Sequence, residues 1–162
     1  MSVNRGKDFE GVVQDGLEAT GTYVLRLYDP QGGYVGVANP CDFVCYRHGV
    51  MYMFECKAVH GNLLSIHSNN PKKAYGLVSN KQWTGLKEAQ QKGVIAGLIV
   101  WWVDKDITKF IPIQTANKLR EEGAKSLKYD IEGGGIITIQ GRKKRVFFDY
   151  DFNSLFTGLF GF

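Results

Sequence analysis

Three cysteines, three histidines and the lack of any long apolar run set the first limits on this chain of 162 residues. His48, His60 and His67 fall at neither metal-ligand nor triad spacing. Cys41, Cys45 and Cys56 lack the Cys-x2-Cys pairs or histidine partners that zinc requires. Packed free thiols in a cytosolic protein are therefore expected, with a cross-strand disulfide as the alternative. No apolar run reaches the roughly 18 residues of a membrane span. The longest, residues 94–103, reads as a buried strand, so no membrane partner is expected. The polar N-terminus leads straight into a helical pattern without a signal peptide, which points to the cytoplasm. Neither Gly32-Gly33 nor Gly133-Gly134-Gly135 carries the Lys-[Ser/Thr] signature of a phosphate loop. Charge is not strongly biased: 20 basic against 16 acidic residues give a net +4. That permits a local nucleic-acid contact without demanding one.

What is present is apolar and aromatic. Hydrophobic residues make up 44% of the chain, with ten Phe, eight Tyr and three Trp, enough for a substantial core in one domain spanning residues 1–162. Asn4 caps a first helix reaching about residue 19, striped by Phe9, Val12, Val13 and Leu17. A strand follows over 22–28, a turn at 29–33, and an approach at 34–37 to a strand carrying Asp42. The chain returns through 51–59. Residues 61–81, weakly periodic and rich in Asn, Ser and Lys, read as a mobile surface loop of the kind that is often functional. A second helix covers 81–92 with Gly93 as its stop, and the strand 94–103 follows. A strand at 109–113 leads to a third helix capped by Thr115 and ending near Gly123. Residues 136–140 and 145–150 form a strand pair, and 152–162 is an apolar tail. The order α-β-β-β-α-β predicts an α/β fold with a mixed central sheet flanked by helices.

The chemistry concentrates in Asn39-Pro40-Cys41-Asp42 and Phe54-Glu55-Cys56-Lys57. If His48-Gly49 is a two-residue hairpin loop, facing positions sum to 97. Asp42 then opposes Glu55, Lys57 shares their face, and Cys41 opposes Cys56 on the other face. Buried charge in an apolar strand pair must be paired or bound. Asp42 and Glu55 suit Mg²⁺, with Mn²⁺ as substitute, and the Cys56 backbone carbonyl adds a third oxygen. Lys57 would orient a water and steady charge on phosphorus. The alternative is a cross-strand salt bridge. Glu10, at the edge of the first helix's stripe, could reach the same cluster or be a solvated helix charge. Gln82 could position a water or phosphate or be an ordinary surface glutamine. Arg142-Lys143-Lys144-Arg145, with Lys72, Lys73 and Lys81, supply cations for phosphate backbones, or a charged turn.

Together these residues resemble the PD-(D/E)XK nuclease superfamily, and within it the RecU-type Holliday junction resolvases of Gram-positive bacteria and their phages. Asn4-Arg5-Gly6 followed by Glu10 is similar to that family's start. Asp42 and Glu55-Cys56-Lys57 match its metal motif, and Gln82 its helix glutamine. Gly123-Ala124-Lys125-Ser126-Leu127 resembles a late Gly-x-Lys-Ser-apolar segment. The similarity runs from about residue 4 to 155. It implies a restriction-endonuclease-like fold with an αβββαβ core and a Mg²⁺-dependent homodimer cutting four-way DNA. Asp42, Glu55, Glu10 and the Cys56 carbonyl would hold metal. Lys57 and Gln82 would position water, and Arg5 and Lys125 would join the DNA contacts. One feature departs: such enzymes carry a long stalk before the catalytic aspartate, whereas only residues 28–41 separate Leu27 from Asp42 here. Two alternatives stay open, a phage or mobile-element nuclease on branched, flapped or duplex DNA, and a non-catalytic DNA-binding recombination protein.

Overall fold

The computed structural model describes residues 5–28, 39–68 and 74–160. The Asn4 cap, the approach at 34–37, Lys72 and Lys73 lie outside them. Helix α1 (Arg5–Glu18) leads to β1 (Tyr23–Arg26), β2 (Phe43–Arg47) and the long β3 (Val50–Val59). Short strands β4 (Leu63–Ser65), β5 (Ala74–Tyr75) and β6 (Val78–Ser79) precede α2 (Asn80–Gln91). Then come β7 (Ile95–Trp102), β8 (Ile107–Pro112) and α3 (Ile113–Glu121). Strands β9 (Ser126–Lys128), β10 (Ile137–Thr138), β11 (Gln140–Lys143) and β12 (Phe148–Asp151) precede α4 (Asn153–Phe160). Among the described residues no helix is long and apolar enough to cross a membrane.

A six-stranded sheet in the order β1-β2-β3-β7-β8-β10 forms the centre. It is mixed: β3 and β7 run parallel, and the other neighbours are antiparallel. The hairpin forms as the sequence predicts. His48 and Gly49 have φ of 49° and 80°, the positive pair of a type I′ turn, and every ladder partner from Arg47↔Val50 to Phe43↔Phe54 obeys the rule of 97. The parallel β3–β7 pair needs a crossover, which α2 supplies.

Two apolar layers sandwich the sheet. One face packs Phe43, Phe54 and Trp101 against Phe9, Val13 and Leu17 of α1 and Leu155 and Phe156 of α4. The other packs Leu98, Val100 and Trp102 against Trp83 and Leu86 of α2 and Ala116 of α3. Alternation along β7 serves both, because a strand covered on both sides must be apolar throughout.

Several expectations change. The described parts of the expected loop, residues 61–68 and 74–81, are ordered into the fold: β4 pairs with β9, and Leu64, Ile66 and Val78 are buried. Their apolar positions are too sparse for a periodicity signal, yet each joins the buried layer that includes Trp83 and Leu86 of α2. Thr115 does not cap α3. Pro112 takes the N-cap position, pre-set for it by its fixed φ, while the Thr115 hydroxyl donates to the Gly134 carbonyl. The late strand pair is Gln140–Lys143 with Phe148–Asp151, and β10 joins the main sheet instead. The apolar tail is core, since Phe152, Leu155 and Phe156 are at most 1% exposed. Replacing Leu64 by Ala will lower unfolding free energy by about 2–5 kcal/mol in a denaturant titration. An unchanged midpoint would mean that the segment does not contribute to the core.

Candidate active site

The β2–β3 ladder stops at Phe43↔Phe54. One residue earlier the Asp42 amide donates to the Phe54 carbonyl at 3.0 Å, the carbonyl that already faces Phe43. Two residues of β2 thus oppose one of β3, a bulge. The Asp42 side chain then takes the place of the strand that would have continued: Oδ2 accepts the Cys56 amide at 2.8 Å. Leu27 donates to the Asp42 carbonyl at 2.7 Å, so the residue is tied from both neighbouring strands.

The bulge also corrects the cysteine register. Cys41 packs with Val59 and Trp83 on the α2 face, and Cys56 packs on the α1 face. They do not oppose each other, and all three cysteines are free and buried. Burial pushes the Cys41 and Cys45 thiols up to about 12, leaving them inert at neutral pH.

Glu55 is 2% exposed. Its Oε1 accepts from Lys57 Nζ at 3.0 Å and from Gln82 Nε2 at 2.7 Å. Among the described residues its Oε2 is buried with no hydrogen-bond partner. Gln82 is itself locked. Its Oε1 accepts the Ser79 amide at 3.0 Å, and its own amide donates to Ser79 Oγ at 3.1 Å, a complete capping box at the start of α2. Both ends of the Gln82 amide are therefore used, and its direct job is to hold Glu55. Ser79 is the residue of the candidate site missed in the sequence, although Ser79-x-x-Gln82 is the capping-box pattern.

Asp42 and Glu55 are electrostatically frustrated. Burial raises Asp42 to about 6, with the Cys56 amide opposing and Glu10 adding to the rise. Burial raises Glu55 to about 8, reinforced by the Asp42 charge and opposed by Lys57. Glu10 stands off: its Oε2 pairs with Arg26 at 3.0 Å, and it acts on Asp42 through its field. Among the described residues no group of three or more His, Cys, Asp or Glu side chains is placed to hold an ion. The oxygen donors for a hard cation are thus Asp42, the orphan Oε2 of Glu55 and the Cys56 carbonyl. A strand residue's N–H and C=O point the same way, so that carbonyl is aimed toward Asp42, past the last ladder pair. This donor set fits Mg²⁺ or Mn²⁺, which keep several waters.

Of the expected DNA contacts, Lys81, Lys125, Arg142, Lys143, Lys144 and Arg145 are exposed, and Arg5 is half-buried. A groove of ≈ 380 Å³ between Pro40 and the first turns of α2 carries Lys81 and Thr84, beside Gln82. The basic turn is partly neutralised: Lys143 pairs with Asp106, and Lys144 with Asp149 at 3.6 Å. The Gly61 amide holds the Asp104 carboxyl below its ordinary value, with His60 and then the Arg5 field adding to it.

No protein-family model and no curated protein matches the chain. Among solved structures it is similar to Hjc of Archaeoglobus fulgidus, a Holliday junction resolvase from an archaeal hyperthermophile. Identity is 20%, the match covers 67% of this chain and 78% of that one, and the TM-score is 0.47.

The raised carboxyls set the pH dependence of stability in chelator. Below about pH 4 they are protonated in both folded and unfolded chains. As pH rises to about 8 the unfolded chain gives up these protons first, so folding stability is progressively lost. Asp42→Asn removes one such charge and keeps an acceptor for Cys56. Its melting temperature should exceed the wild type's at pH 8, with the gap closing toward pH 4. A lower melting temperature at pH 8 would contradict this account.

Proposed function

We propose that the chain is a metal-dependent DNA endonuclease of the PD-(D/E)XK type acting on branched DNA, with the four-way junction as its principal substrate. The observation that carries this reading is the convergence of Asp42, Glu55 and Lys57, with Gln82 clamping Glu55. A salt bridge alone would not require an orphan carboxylate oxygen in a 2%-exposed residue or a second carboxylate forced beside it.

Mg²⁺ or Mn²⁺ held by Asp42, Glu55 and the Cys56 carbonyl would polarise a phosphate oxygen and acidify a bound water. The chain's own groups do the rest. Lys57 sits in the strand position two residues beyond Glu55, with its ammonium held by Oε1 and its side chain 21% exposed. It orients the attacking water and stabilises the charge that grows on phosphorus. Gln82 keeps Glu55 from rotating away. Water adds to phosphorus, the bond to O3′ breaks, and a 5′-phosphate and 3′-hydroxyl result. Exposed Lys81, Arg142 and Arg145 neutralise backbone phosphates. Two copies related by a twofold axis would cut a junction symmetrically.

The short span of residues 28–41 favours one second reading, a nuclease with broader preference for flaps or duplex. A junction labelled on each strand in turn, run beside its duplex arms and a flap in Mg²⁺, separates the two. Paired nicks on the junction support resolvase action, and equal rates on all substrates support the broader enzyme. Lys57→Ala should reduce cleavage at least about 100-fold without changing the melting temperature in chelator by more than a few degrees. Cleavage that survives this substitution would overturn the mechanism.

A further inference from the structure

The sheet face that carries Glu55 and Lys57 continues toward the hairpin turn through the half-buried Val44 and Met53, and among the described residues it becomes exposed there. By strand alternation, Tyr23, Tyr46 and Met51 lie on it as one cross-strand row, with Tyr23↔Tyr46 and Tyr46↔Met51 as direct partners. Leu25, Val44 and Met53 form the next row, also in register. The row after that reaches Asp42 and Glu55. Tyr23 is 66% exposed, Tyr46 53%, and Leu25 and Met51 46% each. Successive rows are two residues apart, roughly 7 Å, so the patch is a ramp leading directly into the carboxylates.

An exposed apolar patch of this size is often functional. Its size argues about the occupant. Four half-exposed side chains present a few hundred Å², whereas a stable dimer commits about 800 Å² per partner. The chemistry points the same way. Two tyrosines offer rigid π-faces with polar tips, and Met51 adds a polarisable neighbour. Among the described residues neither ring enters an aromatic or cation–π pair. Continuity with the carboxylates places any strand lying on the ramp at the reacting centre.

We infer that the Tyr23–Tyr46–Met51 row is a stacking platform for unpaired nucleobases, holding the single-stranded part of a branched substrate as its backbone enters the Asp42–Glu55 site. This rests on the nuclease reading for its orientation but not for its binding test. Stacking on aromatics is tolerant of base identity, so the platform selects for unpaired character and not for sequence.

The test uses the full chain with chelator present, so that no cleavage occurs. Fluorescence anisotropy compares a labelled oligothymidine with an abasic oligonucleotide of equal length, which keeps the phosphates and lacks the bases. The wild type should bind oligothymidine about tenfold more tightly per stacked base. Tyr23→Ala with Tyr46→Ala should bring it down to the abasic level, and Tyr23→Phe with Tyr46→Phe should keep the preference. Equal binding of both probes by the wild type would overturn the proposal. So would sedimentation showing that the double alanine variant converts a dimer to a monomer, because the patch would then be covered by a second copy. Metal-dependent cleavage is assayed separately. Wild type that binds oligothymidine selectively yet never cleaves sinks the nuclease reading and supports the platform, whereas cleavage without base preference sinks the platform alone.

Discussion

The site depends on one hydrogen bond, from the Cys56 amide to Asp42 Oδ2. Had β2 continued in register, a backbone carbonyl would have taken that amide, and the Cys56 carbonyl would have been spent in the ladder as well. The bulge ends the pairing one residue too soon and substitutes a carboxylate for a peptide group. Three consequences follow. Asp42 is fixed in the plane of the sheet, where it feels Glu10 from one side and Lys57 from the other. The Cys56 carbonyl is released toward the same spot. Cys41 is turned to the α2 face, where it closes the apolar layer under Trp83.

Two buried carboxylates this close carry a standing energetic penalty, because desolvation and mutual repulsion both oppose ionisation. The fold tolerates it by limited compensation. Lys57 and Gln82 both serve a single oxygen of Glu55, and the other is left bare. A stability-optimised protein would satisfy both oxygens or replace the pair with apolar groups. Asymmetric satisfaction is the pattern expected where an external cation completes the coordination. Gln82 is rigid because the capping box at Ser79 serves two purposes, starting α2 and aiming the amide. The helix that the parallel β3–β7 crossover requires is thus the same one that orients the site.

This explains how far the sequence could be read. Hairpin register was legible from His48-Gly49, because a two-residue turn with two positive φ values admits one alignment. Glu55, Lys57 and Gln82 were legible from strand alternation and the motif they resemble. The bulge was not: Pro40 marks where regular pairing must end, but the bulge itself arises from competition between the Asp42 side chain and the backbone for one amide. The burial of Leu64, Ile66 and Val78 was not legible because they bury singly among polar neighbours, and the partner of β4, strand β9, is some 60 residues away. The place of the tail was not legible, since apolar composition says that a segment will be covered and not by what.

The bare half of the sheet face has a topological cause. The parallel β3–β7 pair needs a crossover, and that connection lays α2 on this face. Strands β1, β2 and β3 are antiparallel neighbours, and the hairpin link between β2 and β3 brings no helix with it. Helices α2 and α3 cover the β3, β7 and β8 side, so the β1–β2 side stays open at no further cost. Polar residues would be the default for such an antiparallel surface. Tyrosine and methionine there instead give an uncovered face the composition of a covered one. Because that face leads through Val44 and Met53 toward Asp42 and Glu55, one molecule bound at the proposed site would also cover it.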